Sequence, residues 1–192
     1  MSGPRIGLLF GSFNPVHIGH LILAEHFATR TDLAEVWLVV SPHSPFKAVA
    51  DLLPDSERLR LVELALAGNP RLRAENIEFS LPRPSYTIAT FDALRQRHPT
   101  HDFVLLMGAD NLPGLPRWQE SVRLLAEVDI YVYPRPGTEI QDVARFPRVQ
   151  VLQAPLLDIS ATYIRESLRT GRSIRYLVPA AIEEELHRVF TM

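Results

Sequence analysis

The chain has 192 residues, of which 46% are hydrophobic and 22% are charged, a balance typical of a globular protein with a substantial core. Its formal net charge of −2 excludes the basic surface of a general nucleic-acid-binding protein. The absence of cysteine excludes disulfides and thiolate metal sites and favours a cytoplasmic location. No apolar run approaches the ~18 residues that span a bilayer, and the first residues lack a secretory pattern, so no membrane partner is expected.

Strand-like and helix-like segments alternate along the chain. Apolar, β-branched or aromatic runs predict strands at residues 5–10, 35–41, 73–79, 103–108, 129–134 and 149–153. Helical periodicity of apolar residues predicts helices at residues 19–30, 55–66, 85–97, 118–125, 160–170 and 179–190, the second of them capped by Asp55 or Ser56. This alternation predicts an α/β fold in which helices cover both faces of a mostly parallel sheet.

The length predicts a single domain over residues 1–192, with a small helical portion from about residue 158. Residues 41–54 are irregular and rich in proline, and this composition is more typical of a mobile loop over a site than of a linker between domains. The sequence leaves open whether the protein forms a homo-oligomer.

The most informative segment is GSFNPVHIGH, residues 11–20, which connects the first predicted strand to the first predicted helix. Gly11 and Ser12 allow a ligand to approach the backbone closely, and the start of a helix offers free N–H groups to an anion. His17 and His20 add two hydrogen-bond donors. The alternative is an ordinary turn with two surface histidines, but the combination favours a phosphate-binding loop. The segment contains neither a Walker loop nor a GxGxxG fingerprint, and HxxH without a third ligand predicts no metal site.

A second segment, DISATYIRESLRTG at residues 158–171, has the pattern of a capped helix. Ser160 or Thr162 is the predicted cap, and Arg165 presents a planar fork of donors suited to phosphate oxygens. Taken alone, this segment is better explained as a surface helix in which Arg165 pairs with Glu166 or Asp158.

Together the two segments resemble the (T/H)xGH and ISxTxIR signatures of the nucleotidyltransferase superfamily. Further stretches resemble bacterial nicotinate mononucleotide adenylyltransferases, namely PSYTIATFDAL at 84–94, MGADNLPGLPRW at 107–118, YPRPG at 133–137 and YLVPAAI at 176–182. The resemblance covers essentially the whole chain and implies a Rossmann-like, doubly wound sheet. It also implies a reaction in which nicotinate mononucleotide and ATP give nicotinate adenine dinucleotide and pyrophosphate.

The resemblance implies a role for each matching residue in binding ATP. The residues expected at the triphosphate are His17, His20, Ser160, Thr162 and Arg165, with His17, His20 and Arg165 taking part in catalysis. Those expected to offer backbone approach to the nucleotides, or to border a ribose or the adenosine, are Gly11, Ser12, Phe13, Gly108 and Asp110. Mg²⁺ is expected to arrive with ATP, because no carboxylate cage for a resident ion is visible in the sequence.

The resemblance also implies a pocket for nicotinate mononucleotide. Backbone N–H groups at Tyr86 and Thr87 would hold the pyridine carboxylate, and Trp118 would stack on the ring. Ser12 and Phe13 would contact the same substrate, and Lys47 would reach its phosphate. Arg135 is expected on the adenine side.

The chain departs from the family pattern in two segments. It reads FGSFNP where many members have GGTFDP, so Phe10 replaces a glycine and Asn14 replaces an aspartate. Phe46 stands where the family often has a histidine followed by a basic residue.

Three other functions remain open from the sequence. The first is a related adenylyltransferase that prefers nicotinamide mononucleotide or another phosphorylated acceptor such as pantetheine phosphate. The second is a nucleotide-binding module without catalysis, since a fold alone does not establish function. The third is a metal-dependent hydrolase that uses His17, His20 and a carboxylate.

Overall fold

The computed structural model describes residues 3–42, 52–138, 143–155 and 157–190. Its centre is a parallel sheet of six strands, β1 (Arg5–Gly11), β2 (Glu35–Val40), β3 (Leu72–Glu75), β4 (Asp102–Gly108), β5 (Asp129–Tyr133) and β6 (Val149–Val151). The strand order is β3-β2-β1-β4-β5-β6, so the direction of winding reverses between β1 and β4. This topology confirms the predicted doubly wound, Rossmann-like fold.

The helices lie between the strands and after the last one, as the alternating pattern predicts. They are α1 (Ile18–Arg30), α2 (Asp55–Leu66), α3 (Thr87–Arg97), α4 (Ser121–Glu127), α5 (Ala161–Arg169) and α6 (Ala180–Phe190). Short 3-10 helices occupy Ile77–Ser80, Ala109–Arg117 and Val143–Arg145. The first and the last have only four and three residues, too few to show a helical period in the sequence, and the nine residues of Ala109–Arg117 include two prolines.

Two predicted elements are wrong in extent. The strand predicted at 73–79 ends at Glu75, because its buried carboxylate accepts a hydrogen bond from the Ile77 N–H at 2.9 Å and turns the chain into a 3-10 helix. The helix predicted from Trp118 begins at Ser121. The prolines of the segment before it favour a 3-10 helix, and Glu120 has a left-handed φ of 50° that separates the two helices.

The predicted cap of α2 is also wrong. Pro54 occupies the cap position, and Asp55 is the first helical residue. The Asp55 carboxylate accepts hydrogen bonds from Arg58 at 2.6 Å and from Arg83 at 2.7 Å. The residue that the sequence suggests for capping therefore serves in an ion-pair network.

Two hydrophobic cores lie on opposite faces of the sheet. Leu8 and Leu9 are adjacent in β1 and enter different cores, because alternate residues of a strand face opposite sides. Helices α1, α2, α5 and α6 pack in the core that contains Leu9, and α3 and α4 pack in the core that contains Leu8. The helical portion after residue 158 thus covers the same face as α1 and α2, and brings the start of α5 towards the carboxyl end of β1.

Candidate active site

A cleft of about 540 Å³ opens beyond the carboxyl end of β1, beside the point where the strand order reverses. Binding crevices of doubly wound sheets lie at this position. The cleft is lined by the end of β1 with the loop and helix start that follow it, by Leu52 before α2, by the end of β5 with the segment that follows it, and by residues before and at the start of α5. Those the sequence had predicted are Gly11, Ser12, Phe13, His17, His20, Arg135, Ser160, Thr162 and Arg165. The structure therefore brings the two sequence motifs to one cavity.

The loop after β1 has a conformation that depends on its residue types. Phe13 is buried and has a positive φ of 43°, which places its ring beneath Gly11. A Cβ on Gly11 would lie 2.8 Å from the Phe13 ring, closer than carbon atoms can approach without a shift. Glycine at position 11 is therefore required by packing within the loop as well as by close approach of a ligand.

The two histidines are stacked at the start of α1. His17 is the cap residue of α1 and His20 lies three residues later, and their ring centroids are 3.7 Å apart. The His17 backbone N–H donates to His20 Nδ1 at 3.2 Å. Since that nitrogen accepts, the proton of a neutral His20 ring lies on Nε2. Glycine at position 19 leaves room for the His17 ring, because a Cβ there would lie 3.1 Å from His17 Nδ1.

His17 is neutral at physiological pH. Only 6% of the residue is exposed. Burial lowers the pKa of His17 from 6.5 to about 4, and the positive charge of Arg135 adds to that effect. Its Nδ1 atom is buried and has no hydrogen-bond partner among the described residues. A polyphosphate in the cleft would supply a partner and reverse the electrostatic penalty for protonation.

The start of α5 provides a second set of donors. Ser160 caps the helix, with its hydroxyl oxygen accepting from the Tyr163 N–H at 3.1 Å. Arg165 donates to the backbone carbonyl of Asn14 at 2.8 Å and to the Thr162 hydroxyl at 3.3 Å. This contact between the two motifs favours the functional interpretation of Arg165 over a plain surface helix.

Comparison with known proteins identifies the family. Residues 8–167 match the family model described as Cytidylyltransferase-like. A protein of Bacteroides fragilis named "Probable nicotinate-nucleotide adenylyltransferase" is 47% identical over 186 residues, which cover 97% of this chain and 92% of the relative. One of the same name from Cytophaga hutchinsonii is 48% identical over 180 residues, which cover 94% of each chain. This chain belongs to the nicotinate-nucleotide adenylyltransferase family.

Solved structures agree with this adenylyltransferase in fold. The chain matches "Plasmodium falciparum nicotinic acid mononucleotide adenylyltransferase complexed with NaAD" with a TM-score of 0.78 at 18% identity, over 96% of each chain. The same Plasmodium falciparum protein "complexed with APC" gives a TM-score of 0.77 at 16% identity, over 97% of this chain and 98% of the other. No described helix of this adenylyltransferase is both long enough and apolar enough to cross a bilayer.

In this adenylyltransferase, Asn14 organises the loop with both its main chain and its side chain. Its side-chain oxygen accepts from the Leu53 N–H at 3.1 Å, while its backbone carbonyl accepts from Arg165. The change from the family's aspartate to asparagine keeps an acceptor at this position. Across the described residues, no group of three histidine, aspartate or glutamate side chains is arranged to hold a metal ion.

Gly108 and Asp110 border the cleft indirectly, through Arg135. The Arg135 guanidinium lies 3.6 Å from the Asp110 carboxylate and stands over the Tyr133 ring, 5.4 Å from its centroid. A Cβ on Gly108 would lie 2.9 Å from Arg135 Nε. Both predicted residues therefore contact a cleft-lining side chain without lining the cleft themselves.

The residues predicted to hold the pyridine ring lie on the other face of the sheet. Tyr86 is the cap residue of α3 and Thr87 its first residue, and Trp118 packs at the edge of the core that contains α3. None of the three lines the cleft. Phe10 connects the two regions, because it lines the cleft and stacks on Phe91 of α3 at a centroid distance of 6.4 Å.

Sequence reasoning missed a buried carboxylate beside the start of α3. Glu78 is 3% exposed and accepts hydrogen bonds from the Thr90 hydroxyl at 2.7 Å and the Ser85 hydroxyl at 3.0 Å. These bonds fix the chain on both sides of Tyr86. The only sequence signal was a single acidic residue within the short apolar stretch 77–79. Lys47, Phe46 and most of the 41–54 segment lie outside the described residues.

Proposed function

We propose that this adenylyltransferase joins the adenylyl group of ATP to nicotinate mononucleotide, giving nicotinate adenine dinucleotide and pyrophosphate. An oxygen of the mononucleotide's 5′-phosphate attacks the α-phosphorus of ATP. A new P–O bond forms, and the bond to the β-phosphate oxygen breaks in line with it. The observation that carries this proposal is the convergence of the stacked histidines and the α5 N-terminus on one cleft. The names of the relatives support the same activity.

Catalysis in this proposal is positioning and charge stabilisation, because the attacking phosphate is already an anion. His17 and His20 contact the α-phosphoryl group and the leaving pyrophosphate, with the Nε2–H of His20 as a donor. Ser160, Thr162 and Arg165 hold the β- and γ-phosphates at the α5 N-terminus, where free N–H groups favour anions. The backbone of Gly11, Ser12 and Phe13 follows the nucleotide, and Gly108 and Asp110 position Arg135 on the adenosine side.

Mg²⁺ enters this scheme bound to ATP. The ion prefers oxygen ligands and keeps much of its water, so triphosphate oxygens suit it better than the imidazoles of this cleft. The Asn14 side-chain oxygen already accepts from Leu53. We expect the ion to neutralise charge that accumulates on the pyrophosphate as it leaves.

The start of α3 selects nicotinate mononucleotide over nicotinamide mononucleotide. Backbone N–H groups at Tyr86 and Thr87 favour a carboxylate over a neutral amide, since a helix N-terminus carries partial positive charge. Trp118 stacks on the pyridine, and Phe10 lies between that subsite and the triphosphate cleft. Lys47 contacts the mononucleotide phosphate. We expect the enzyme to act in the cytoplasm without nucleic-acid or membrane partners.

A substrate comparison tests this function. Purified enzyme is incubated with ATP, Mg²⁺ and either nicotinate or nicotinamide mononucleotide, and the dinucleotide product is quantified by chromatography. We expect kcat/KM to favour the nicotinate form by about tenfold or more, the ratio that corresponds to about 1.4 kcal/mol of binding selectivity. Equal kcat/KM values would refute the carboxylate subsite. If neither substrate gave a dinucleotide, the result would favour a nucleotide-binding module without catalysis.

A further inference from the structure

One guanidinium that the proposed mechanism does not use is completely buried. The Arg58 side chain in α2 has no exposed surface, although it carries a charge. Each of its five N–H groups donates one hydrogen bond, and the acceptors are four backbone carbonyls and one carboxylate. These are Leu53 O at 3.0 Å, Ser12 O at 2.6 Å, Ser41 O at 2.8 Å, Pro42 O at 3.0 Å and Asp55 Oδ1 at 2.6 Å.

The carbonyls that Arg58 binds belong to three backbone segments: the phosphate-binding loop after β1, the residues after β2 and the residues before α2. Ser12 lies in that loop and lines the cleft. Ser41 and Pro42 follow β2, and the Ser41 N–H itself donates to Gly11 O at 2.9 Å. Leu53 precedes α2, and its N–H donates to Asn14, which also contacts Arg165. One planar side chain therefore links the loop after β1 to its neighbours on two sides.

We propose that Arg58 is a positioning residue for adenylyl transfer. Its rigid fork fixes the Ser12–Asn14 backbone, and that backbone in turn sets where the histidines and Arg165 meet the triphosphate. This inference rests on the proposed function. Burial lowers the pKa of Arg58, but the group stays charged, because an arginine guanidinium does not lose its proton in proteins.

The number of acceptors explains why arginine is needed. A lysine ammonium has three donors around one nitrogen and cannot reach acceptors spread along the edge of a planar fork. Arg58→Lys therefore keeps the positive charge but removes the planar set of five donors. A role based on charge alone would survive this substitution, and a positioning role would not.

Arg5 offers a matched control at the opposite end of the sheet. It begins β1, and its guanidinium pairs with Asp32, Asp102 at 2.9 Å and Asp129 at 2.5 Å. Arg5→Lys removes a fork of similar size without touching the cleft. We expect both lysine variants to lower the melting temperature, because each leaves polar partners unsatisfied.

The experiment measures kcat, both KM values, thermal unfolding and backbone hydrogen exchange for wild type, Arg58→Lys and Arg5→Lys. We expect kcat per folded molecule to fall about ten- to a hundredfold in Arg58→Lys only, since small misplacements of catalytic groups cost that much. Amide exchange in residues 11–16 should accelerate in that variant and stay unchanged in Arg5→Lys. If Arg58→Lys does not fold, Asp55→Ala replaces it and should show a smaller change in the same direction.

Two results would overturn the proposal. One is an Arg58→Lys enzyme whose kcat equals that of Arg5→Lys while only stability changes. The other is unchanged exchange in residues 11–16. Failure of the proposed function is distinguishable, because a wild-type protein that forms no dinucleotide would still show whether exchange in residues 11–16 depends on Arg58.

Discussion

The buried His17 ring makes a quantitative prediction about stability and pH. The pKa of His17 is lowered from 6.5 to about 4 in the folded protein, so the unfolded chain binds a proton here more readily than the folded one. Between these two values the stability of the folded state falls as pH falls. Proton linkage gives a loss of about 2 kcal/mol from this group between pH 7 and pH 5.

The substitution His17→Asn isolates this contribution. Asparagine is a good helix cap and does not titrate, so the variant should lose less stability on acidification than the wild type. The assay is urea unfolding followed by circular dichroism at pH 7, 6 and 5, with the free energy of unfolding extrapolated to water. Other titrating groups are common to both proteins and cancel in the difference.

Between pH 7 and pH 5, the free energy of unfolding of the wild type should fall by about 2 kcal/mol more than that of His17→Asn. The His26→Asn variant is a suitable control, because it makes the same change in the same helix at a residue that does not line the cleft. Parallel pH profiles for wild type and His17→Asn would show that the His17 ring is not held neutral. The account of the buried, stacked imidazoles would then be wrong.

Three further variants test the α5 N-terminus. Arg165→Ala removes the guanidinium that contacts Asn14 and Thr162, and we expect KM for ATP to rise about tenfold or more, since a charge-assisted hydrogen bond contributes about 1.5–3 kcal/mol; a wild-type KM would contradict the assignment. Ser160→Ala removes the acceptor of the Tyr163 N–H and should lower the free energy of unfolding by about 1 kcal/mol. Ser160→Asn keeps an acceptor and should recover that stability, and equal stability of all three proteins would refute the cap.

The sequence predicted the sheet and the cleft because their signals are local. Apolar runs and helical periods locate β1, β4 and α1 within a few residues, and the motifs at 11–20 and 158–171 are recognisable from residue type alone. The sequence did not predict the end of β3, since that end depends on a hydrogen bond to a buried Glu75 carboxylate. The start of α4 was missed because prolines and a left-handed Glu120 precede it.

The sequence also did not predict the buried residues that position the site, for a different physical reason. Arg58 and Glu78 stand in segments that read as an ordinary amphipathic helix and an apolar run. Their importance comes from partners distant in sequence, such as Ser12 for Arg58 and Thr90 for Glu78. A charged residue in an apolar segment is visible in the sequence, but its distant partners are not, and they are identified only by the hydrogen bonds of the folded structure.

The central claim is that the paired histidines stabilise adenylyl transfer in the cleft between the two motifs. Its most direct test is a single-turnover reaction of nicotinate mononucleotide with ATP labelled at the α-phosphorus, using wild type and His20→Ala. We predict that the label enters the dinucleotide and that His20→Ala slows this step by about 10²–10³-fold, the cost of losing one preorganised donor, while the fold is retained. Adenylyl transfer by His20→Ala at the wild-type rate would contradict the account. So would a wild-type reaction in which no label from ATP appears in the dinucleotide.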